Sequence, residues 1–180
     1  VSLVRIACHI NEFEDCLPAA IWLKDQGYKV GFNLMQINNA DEGKIAELLK
    51  LANTHPIDVL YFADSMGSLN TQQITTIVNT FKNNWCGAIG IHAHDSMGNA
   101  VNNSMQAVND GVSWVDCTVT GMGRGPGNAQ TEYLSIELDS YRKLNTSKTK
   151  LLKLIRNHFK PLKEQYDWGI NPYYYLAGKH

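Results

Sequence analysis

The run Ala88-Ile89-Gly90-Ile91-His92-Ala93-His94-Asp95-Ser96-Met97-Gly98 carries the plainest sign of how this chain folds. It opens as a short apolar run rich in β-branched residues and closes on polar residues and a glycine. A buried parallel strand that delivers side chains to its C-terminal end has this form. Side chains two apart on a strand share a face, so His92 and His94 point the same way while Ala93 points away. Gly90 leaves room for close backbone approach.

Working outward, the same pattern recurs at Leu3–Cys8, Tyr28–Met35, Ile57–Ala63 and Trp114–Thr120. Stretches of helical period lie between these runs. One runs from Asn11 to Gly27 with Pro18 in its early turns, where a missing N–H is tolerated. A second opens on Asp41-Glu42 and carries Ile45, Leu48, Leu49 and Ala52 on one face. Thr71–Asn83 presents Ile74, Ile77, Val78 and Phe81, and further helices are expected over Asn99–Asp110 and from about Ala129. This alternation is the signature of βα units and a parallel sheet.

Two architectures use such units. An open doubly wound sheet should show a glycine-rich turn after its first strand, and Cys8-His9-Ile10-Asn11 is not one. Polar residues instead gather at the C-terminal end of every strand: His9, Asn33, Asp64, His92 with His94, and Asn128. A TIM barrel builds its active site from that rim. The expected fold class is therefore α/β, a parallel (β/α) TIM barrel. A full barrel needs about 250 residues; this chain of 180 residues is expected to hold only its C-terminal five βα units. Residues 1–140 are read as the barrel segment and 141–180 as a C-terminal extension. That extension has a basic amphipathic helix from about Ser147 to Tyr166, with Leu151, Leu154, Ile155 and Phe159 on one side. Trp168 and Tyr173-Tyr174-Tyr175 form an aromatic tail.

A net charge of -1 gives no electrostatic footprint for nucleic acid or anionic lipid, and no apolar run is long enough to span a bilayer. Val1-Ser2-Leu3-Val4-Arg5 lacks the layout of a signal peptide, and the missing initiator Met suggests a processed or truncated chain. Cys8, Cys16, Cys86 and Cys117 form no Cys-x-x-Cys pair, so reduced thiols and a cytoplasmic location are expected. The glycosylation-like triplets at Asn102 and Asn145 are read as chance matches.

Imidazole is a ligand for Zn, Mn, Fe or Co, and His92 with His94 would supply half of a coordination shell. The competing reading is a pair of structural histidines near a strand end. The loop Gly121-Met122-Gly123-Arg124-Gly125-Pro126-Gly127-Asn128 has three readings: a cover that brings the Asn128 amide oxygen to a metal, a phosphate cradle with Arg124, or a tight turn capped by Asn128. Asp64 is expected to face the rim, where it would orient a ligand or a histidine, or else to cap a turn. His9 at its strand end is a candidate acid or base. His55, His158 and His180 read as surface histidines. Lys29, at the start of its run, is the one lysine within a strand, which argues against Schiff-base chemistry. No Gly-x-Ser-x-Gly nucleophile motif occurs.

Taken together, Ile91-His92-Ala93-His94-Asp95 with Gly98-Asn99-Ala100, and Val115-Asp116 followed by the glycine-rich run to Asn128, resemble the DRE-TIM metallolyases. Val4-Arg5-Ile6-Ala7-Cys8-His9, Gly31-Phe32-Asn33-Leu34-Met35 and Tyr61-Phe62-Ala63-Asp64-Ser65-Met66-Gly67 echo in particular the 4-hydroxy-2-oxovalerate aldolases. The resemblance implies a divalent metal (Mn or Mg first, Zn or Co next) held by an Asp and two histidines. The ion would bind a 2-oxo acid such as pyruvate and stabilise its enolate. On this mapping His92 and His94 are metal ligands and Asn128 a ligand or close neighbour. His9 and Asp64 would take catalytic roles, while Asn33 and Arg124 would contact substrate. It further implies an aldehyde co-substrate, a homo-oligomer and a partner dehydrogenase. The family's Asp-Arg-Glu-type segment, which carries the third ligand, is absent, so the chain by itself is expected to bind metal weakly and turn over little. Two other readings stand beside this one. One is a Claisen-type acyl-CoA condensing enzyme of the isopropylmalate synthase kind. The other is a non-catalytic half-barrel that binds a ligand or partner.

Overall fold

The computed structural model describes residues 1–142 and 147–179. Asn145 and His180, both singled out in the sequence, lie outside the described residues. Five strands, β1 (Leu3–His9), β2 (Lys29–Met35), β3 (Val59–Asp64), β4 (Ala88–Ala93) and β5 (Trp114–Val115), form one parallel sheet in the order β1-β2-β3-β4-β5. Each new strand is added on the same side of the last. There is no reversal of the kind an open doubly wound sheet has at its switch point. The sheet is an arc of a barrel, as the rim of polar residues had indicated.

The helices between strands are α1 (Phe13–Asp25), α2 (Glu42–Ala52), α3 (Thr71–Asn84) and α4 (Ala100–Asn109), and α5 (Thr131–Arg142) follows β5. They form one layer in which α2 packs on α3, α3 on α4 and α4 on α5. Local chemistry sets their starts. Asp41 accepts from the Lys44 N–H at the head of α2, and Asn70 with Gln73 forms a reciprocal capping box at the head of α3.

The two faces of the sheet do different work. Phe32 of β2 meets Phe13 of α1 at 5.0 Å between ring centroids, and Phe62 of β3 meets Phe81 of α3 at 5.5 Å. Val30, Leu34, Leu60 and Ile91 share that helix-facing side and are buried with them. The alternate residues, Gly31, Asn33, Tyr61, Ala63, Gly90 and His92, line the concave face. Register then places Ala63 beside His92 and Tyr61 beside Gly90.

Asp58, just before β3, carries a pH-dependent part of this stability. Its carboxylate accepts from Lys24 Nζ at 2.8 Å and from the Val30 N–H at 2.8 Å. Partial burial works to raise its carboxyl pKa, but the Lys24 and Val30 bonds outweigh it and hold the value below the usual Asp range. A depressed folded-state pKa means that the contribution is complete above the unfolded value and is lost as pH falls through the folded one. Melting curves of Asp58→Asn and the parent chain are therefore expected to differ at neutral pH and to converge in acid, below about pH 4.

One expectation is corrected. The strand anticipated over Trp114–Thr120 ends at Val115; beyond it the Thr118 N–H turns to Ala129 O, and Thr120 takes a left-handed φ of 55° while its N–H donates to Glu132 Oε2. The helix expected from about Ala129 forms and begins at Thr131. The basic helix does form, as α6 (Lys148–Leu154) and α7 (Lys160–Tyr166) joined by a π-turn at Ile155–Phe159. That wider turn stands just ahead of Pro161, whose missing N–H would interrupt a regular helix. The aromatic tail ends in a short helix, α8 (Pro172–Ala177).

Candidate metal centre

The end of β4 is where the chain gathers its polar groups. The backbone of Asn128 bridges that of His94, the Ala129 N–H donates to Ala93 O at 3.1 Å, and the Asp95 N–H donates to Gly127 O at 3.1 Å. The glycine-rich loop thus folds back against the strand end. Gly127 is required for this: its φ is +78°, and a Cβ there would overlap the carbonyl oxygen of Gly121.

His92 and His94 project from the concave face with ring centroids 5.1 Å apart and planes at 86°. His92 Nδ1 lies 2.8 Å from Asp116 Oδ2, and His94 Nδ1 lies 3.2 Å from Gly127 O. A carbonyl oxygen or an ionised carboxylate can only accept, so each Nδ1 is the donor in its pair. The lone pair of each neutral ring then sits on Nε2, which is the arrangement of metal-ligating histidines. Burial, with help from the adjacent His92, pushes His94 below the ordinary histidine range and favours its neutral, ligating form. Burial would raise the Asp116 carboxyl, but the bond from His92 and the Arg5 guanidinium hold it below the usual value.

Asn128 stands at the same strand end. Its Nδ2–H donates to Met122 O at 3.1 Å, while its Oδ1 is buried with no hydrogen-bond partner. A buried oxygen without a partner is costly unless a ligand meets it. Among the described residues, no three His, Cys, Asp or Glu side chains group to hold an ion. A cation here would have to be met by the two imidazoles, with the Asn128 amide oxygen as the further candidate.

Two cavities lie at the pair of rings. One, of about 600 Å³ at the rim, is lined by His94 with His9, Arg124, Met35, Ser65 and Tyr174, among others. The other, of about 370 Å³ on the concave face, is lined by His92, Arg5, Asp116, Thr118 and Asn128, among others. The structure therefore brings His9 and Arg124 to the space in front of His94. Asn33 is buried on the concave face of β2 with an unpartnered Oδ1, and neither of these cavities reaches it. Of the two readings of Asp64, the hydrogen bonds favour the turn over the rim. Asp64 lies two residues after Phe62, on the helix-facing side. There it accepts from the Ser68 and Leu69 N–H groups at 3.1 Å each and fixes the loop after β3.

Three groups were missed in the sequence. Asp116 is the partner of His92. Arg5 reaches across the concave face to Asp116 at 2.6 Å. The tail braces the glycine-rich loop, since Trp168 Nε1–H donates to Thr120 O and the Gly169 N–H donates to Gly125 O, each at 3.0 Å. Asp116 was legible in principle, because the two-residue period from Trp114 and the register of β5 on β4 put it beside His92.

This architecture has close counterparts. The 4-hydroxy-2-oxovalerate aldolase of Pelotomaculum thermopropionicum is 35% identical over 134 residues, covering 74% of this chain and 40% of that protein. The chain thus spans about two fifths of the length of the curated relatives it matches. Among solved structures, the N-terminal domain of a putative aldolase from Bacteroides vulgatus superposes with a TM-score of 0.91 at 31% identity, covering 99% of this chain and 59% of that one. The HMG-CoA lyase of Bacillus subtilis superposes at 0.80 with 18% identity over 100% of this chain and 68% of its own, a likeness of fold. The HMGL-like family model matches residues 4–158, and the chain belongs to that family.

Proposed function

We propose that this chain is the metal-binding part of a divalent-metal-dependent aldolase that makes or breaks a carbon–carbon bond in a 2-oxo acid. One observation carries the reading: both imidazoles spend Nδ1 on an acceptor and keep Nε2, beside an Asn128 Oδ1 with no partner. His92, His94 and Asn128 would hold the ion, Mn or Mg in the first place. Bound there, a divalent cation supplies Lewis-acid polarisation of a carbonyl oxygen.

The chain's other residues have distinct tasks in this reading. His9, on the wall of the rim cavity that His94 also lines, moves a proton to or from substrate. Arg124 binds the substrate carboxylate from the loop. Asn33 turns a polar oxygen toward the concave face. Asp64 acts by holding the loop after β3. Residues 1–140 form the barrel segment, and 141–180 an extension whose tail braces the loop carrying Asn128. An aldehyde co-substrate, a homo-oligomer and a partner dehydrogenase belong to the same proposal.

The test is exchange of the pyruvate methyl protons for deuterium by the intact protein with added Mn²⁺. Metal-dependent exchange is the expected result. Its absence overturns the aldolase reading in favour of a binding module, and exchange that requires an acyl-CoA points to Claisen-type condensation instead.

A further inference from the structure

We propose that Asp116 is a positioning residue that fixes the tautomer and orientation of His92. The inference rests on the metal reading above, but its first readout does not need a metal.

Asp116 follows β5 on the concave side, next to β4 in register, and one oxygen receives two donors. Oδ2 accepts from Arg5 Nη1 at 2.6 Å and from His92 Nδ1 at 2.8 Å. Arg5 comes from β1, at the opposite edge of the sheet. Its guanidinium carbon lies 4.3 Å from the Tyr61 ring centroid, so the planar group is stacked as well as paired. Tyr61 in turn occupies the space left by Gly90, where a Cβ would overlap the ring. Gly90, Tyr61, Arg5 and Asp116 thus form a chain of contacts ending at the imidazole of His92.

A tie between the two edge strands would need only the Arg5–Asp116 pair. The shared oxygen does more. Besides the Arg5 guanidinium, Oδ2 meets one ring nitrogen of His92 and presents it with an acceptor. Free neutral histidine favours the proton on Nε2, the tautomer that cannot ligate through that nitrogen. The Asp116 carboxylate reverses this preference by binding the proton on Nδ1, and it sets the plane of the ring. His94 has a backbone carbonyl for the same purpose. Asp116 is the side-chain equivalent, and a substitution can remove it.

The experiment reads the tautomers of the metal-free protein from long-range proton–nitrogen correlation spectra of its imidazoles, at mildly alkaline pH. A His92→Gln variant assigns the signals. In the parent chain His92 is expected as Nδ1–H; in Asp116→Ala it is expected to revert to Nε2–H, with His94 unchanged. Mn²⁺ affinity, from the electron paramagnetic resonance of the free ion, is expected to fall about 10–100-fold in Asp116→Ala and to recover in part in Asp116→Glu. Arg5→Met should lower the melting temperature while leaving His92 as Nδ1–H. If Asp116→Ala does not fold, Asp116→Asn keeps the shape without the charge and is expected to lose Mn²⁺ affinity in the same direction. An unchanged His92 tautomer together with unchanged affinity in the Asp116 variants overturns the proposal. So does an Asp116→Ala that, like Arg5→Met, alters only the melting temperature. A parent chain with the Nδ1–H tautomer and no Mn²⁺ binding overturns the metal reading instead and leaves the positioning role standing.

Discussion

His94→Ala is expected to weaken Mn²⁺ binding by at least about a hundredfold, because loss of a group that only supports a ligand already costs about 10–100-fold. In the proposed site His94 supplies one of two imidazole ligands, and among the described residues no group of three or more His, Cys, Asp or Glu side chains is gathered to hold the ion instead. Isothermal titration with Mn²⁺ checks this, and binding retained at parental strength would remove His94 from the centre. The pH dependence has a definite sign. Metal must compete with protons for both Nε2 atoms, so affinity falls as pH drops through the histidine range, near 6.5 for an unperturbed ring. Burial and the neighbouring His92 hold His94 below its ordinary value, so it stays available to metal further into acid than a free imidazole would. The fold itself should be indifferent to the change. His94 stands on the concave side, and its one recorded side-chain bond goes to Gly127 O.

The sequence made the central strands legible because β2 and β3 are buried on both faces, and β-branched runs between helical periods leave little else to choose. The histidine pair was legible for a related reason. A period of two is a local property of a strand, and His-x-His at a strand end needs no long-range information. Asp64 shows where local reading runs out. Whether a strand-end residue faces the rim or the helices depends on parity, and parity is fixed by Phe62 reaching Phe81 rather than by polarity. Counting from Phe62 would have turned Asp64 outward. The short β5 had no local signal at all. Cys117-Thr118-Val119-Thr120 continues as a strand by propensity, and what it meets instead are groups far along the chain. The Glu132 carboxylate takes the Thr120 N–H, and the Trp168 indole bonds the Thr120 carbonyl from 48 residues away. Arg5 reaching Asp116 is of the same kind. It joins the first and last strands of the arc and emerges only when the sheet is curved.

That same parity separates stability from chemistry, and Phe62→Ala is the change expected to reveal it. Phe62 is fully buried in β3, the central strand, on the helix-facing side, with its ring against Phe81 of α3. Both neighbouring strands are hydrogen-bonded to β3, so the sheet cannot collapse into the space without breaking register. Truncating a buried Phe to Ala costs about 3–5 kcal/mol, a transfer loss plus a cavity the neighbours only partly close. In a chain of this size that corresponds to a fall of roughly 6–20 °C in melting temperature. Thermal unfolding followed by circular dichroism measures it, and a fall much smaller than this would mean that α3 repacks onto the sheet. Metal binding below the transition separates the two roles. The Phe62 ring points away from both histidines, and Ala63, its neighbour on the other face, is the residue in register with His92. Phe62→Ala should therefore bind Mn²⁺ with the parental affinity for as long as it remains folded. His94→Ala should melt like the parent and not bind. A Phe62 variant that lost metal while still folded would show that the two faces of the sheet are coupled, and the centre would then have to be understood through the helix layer as well as through the rim.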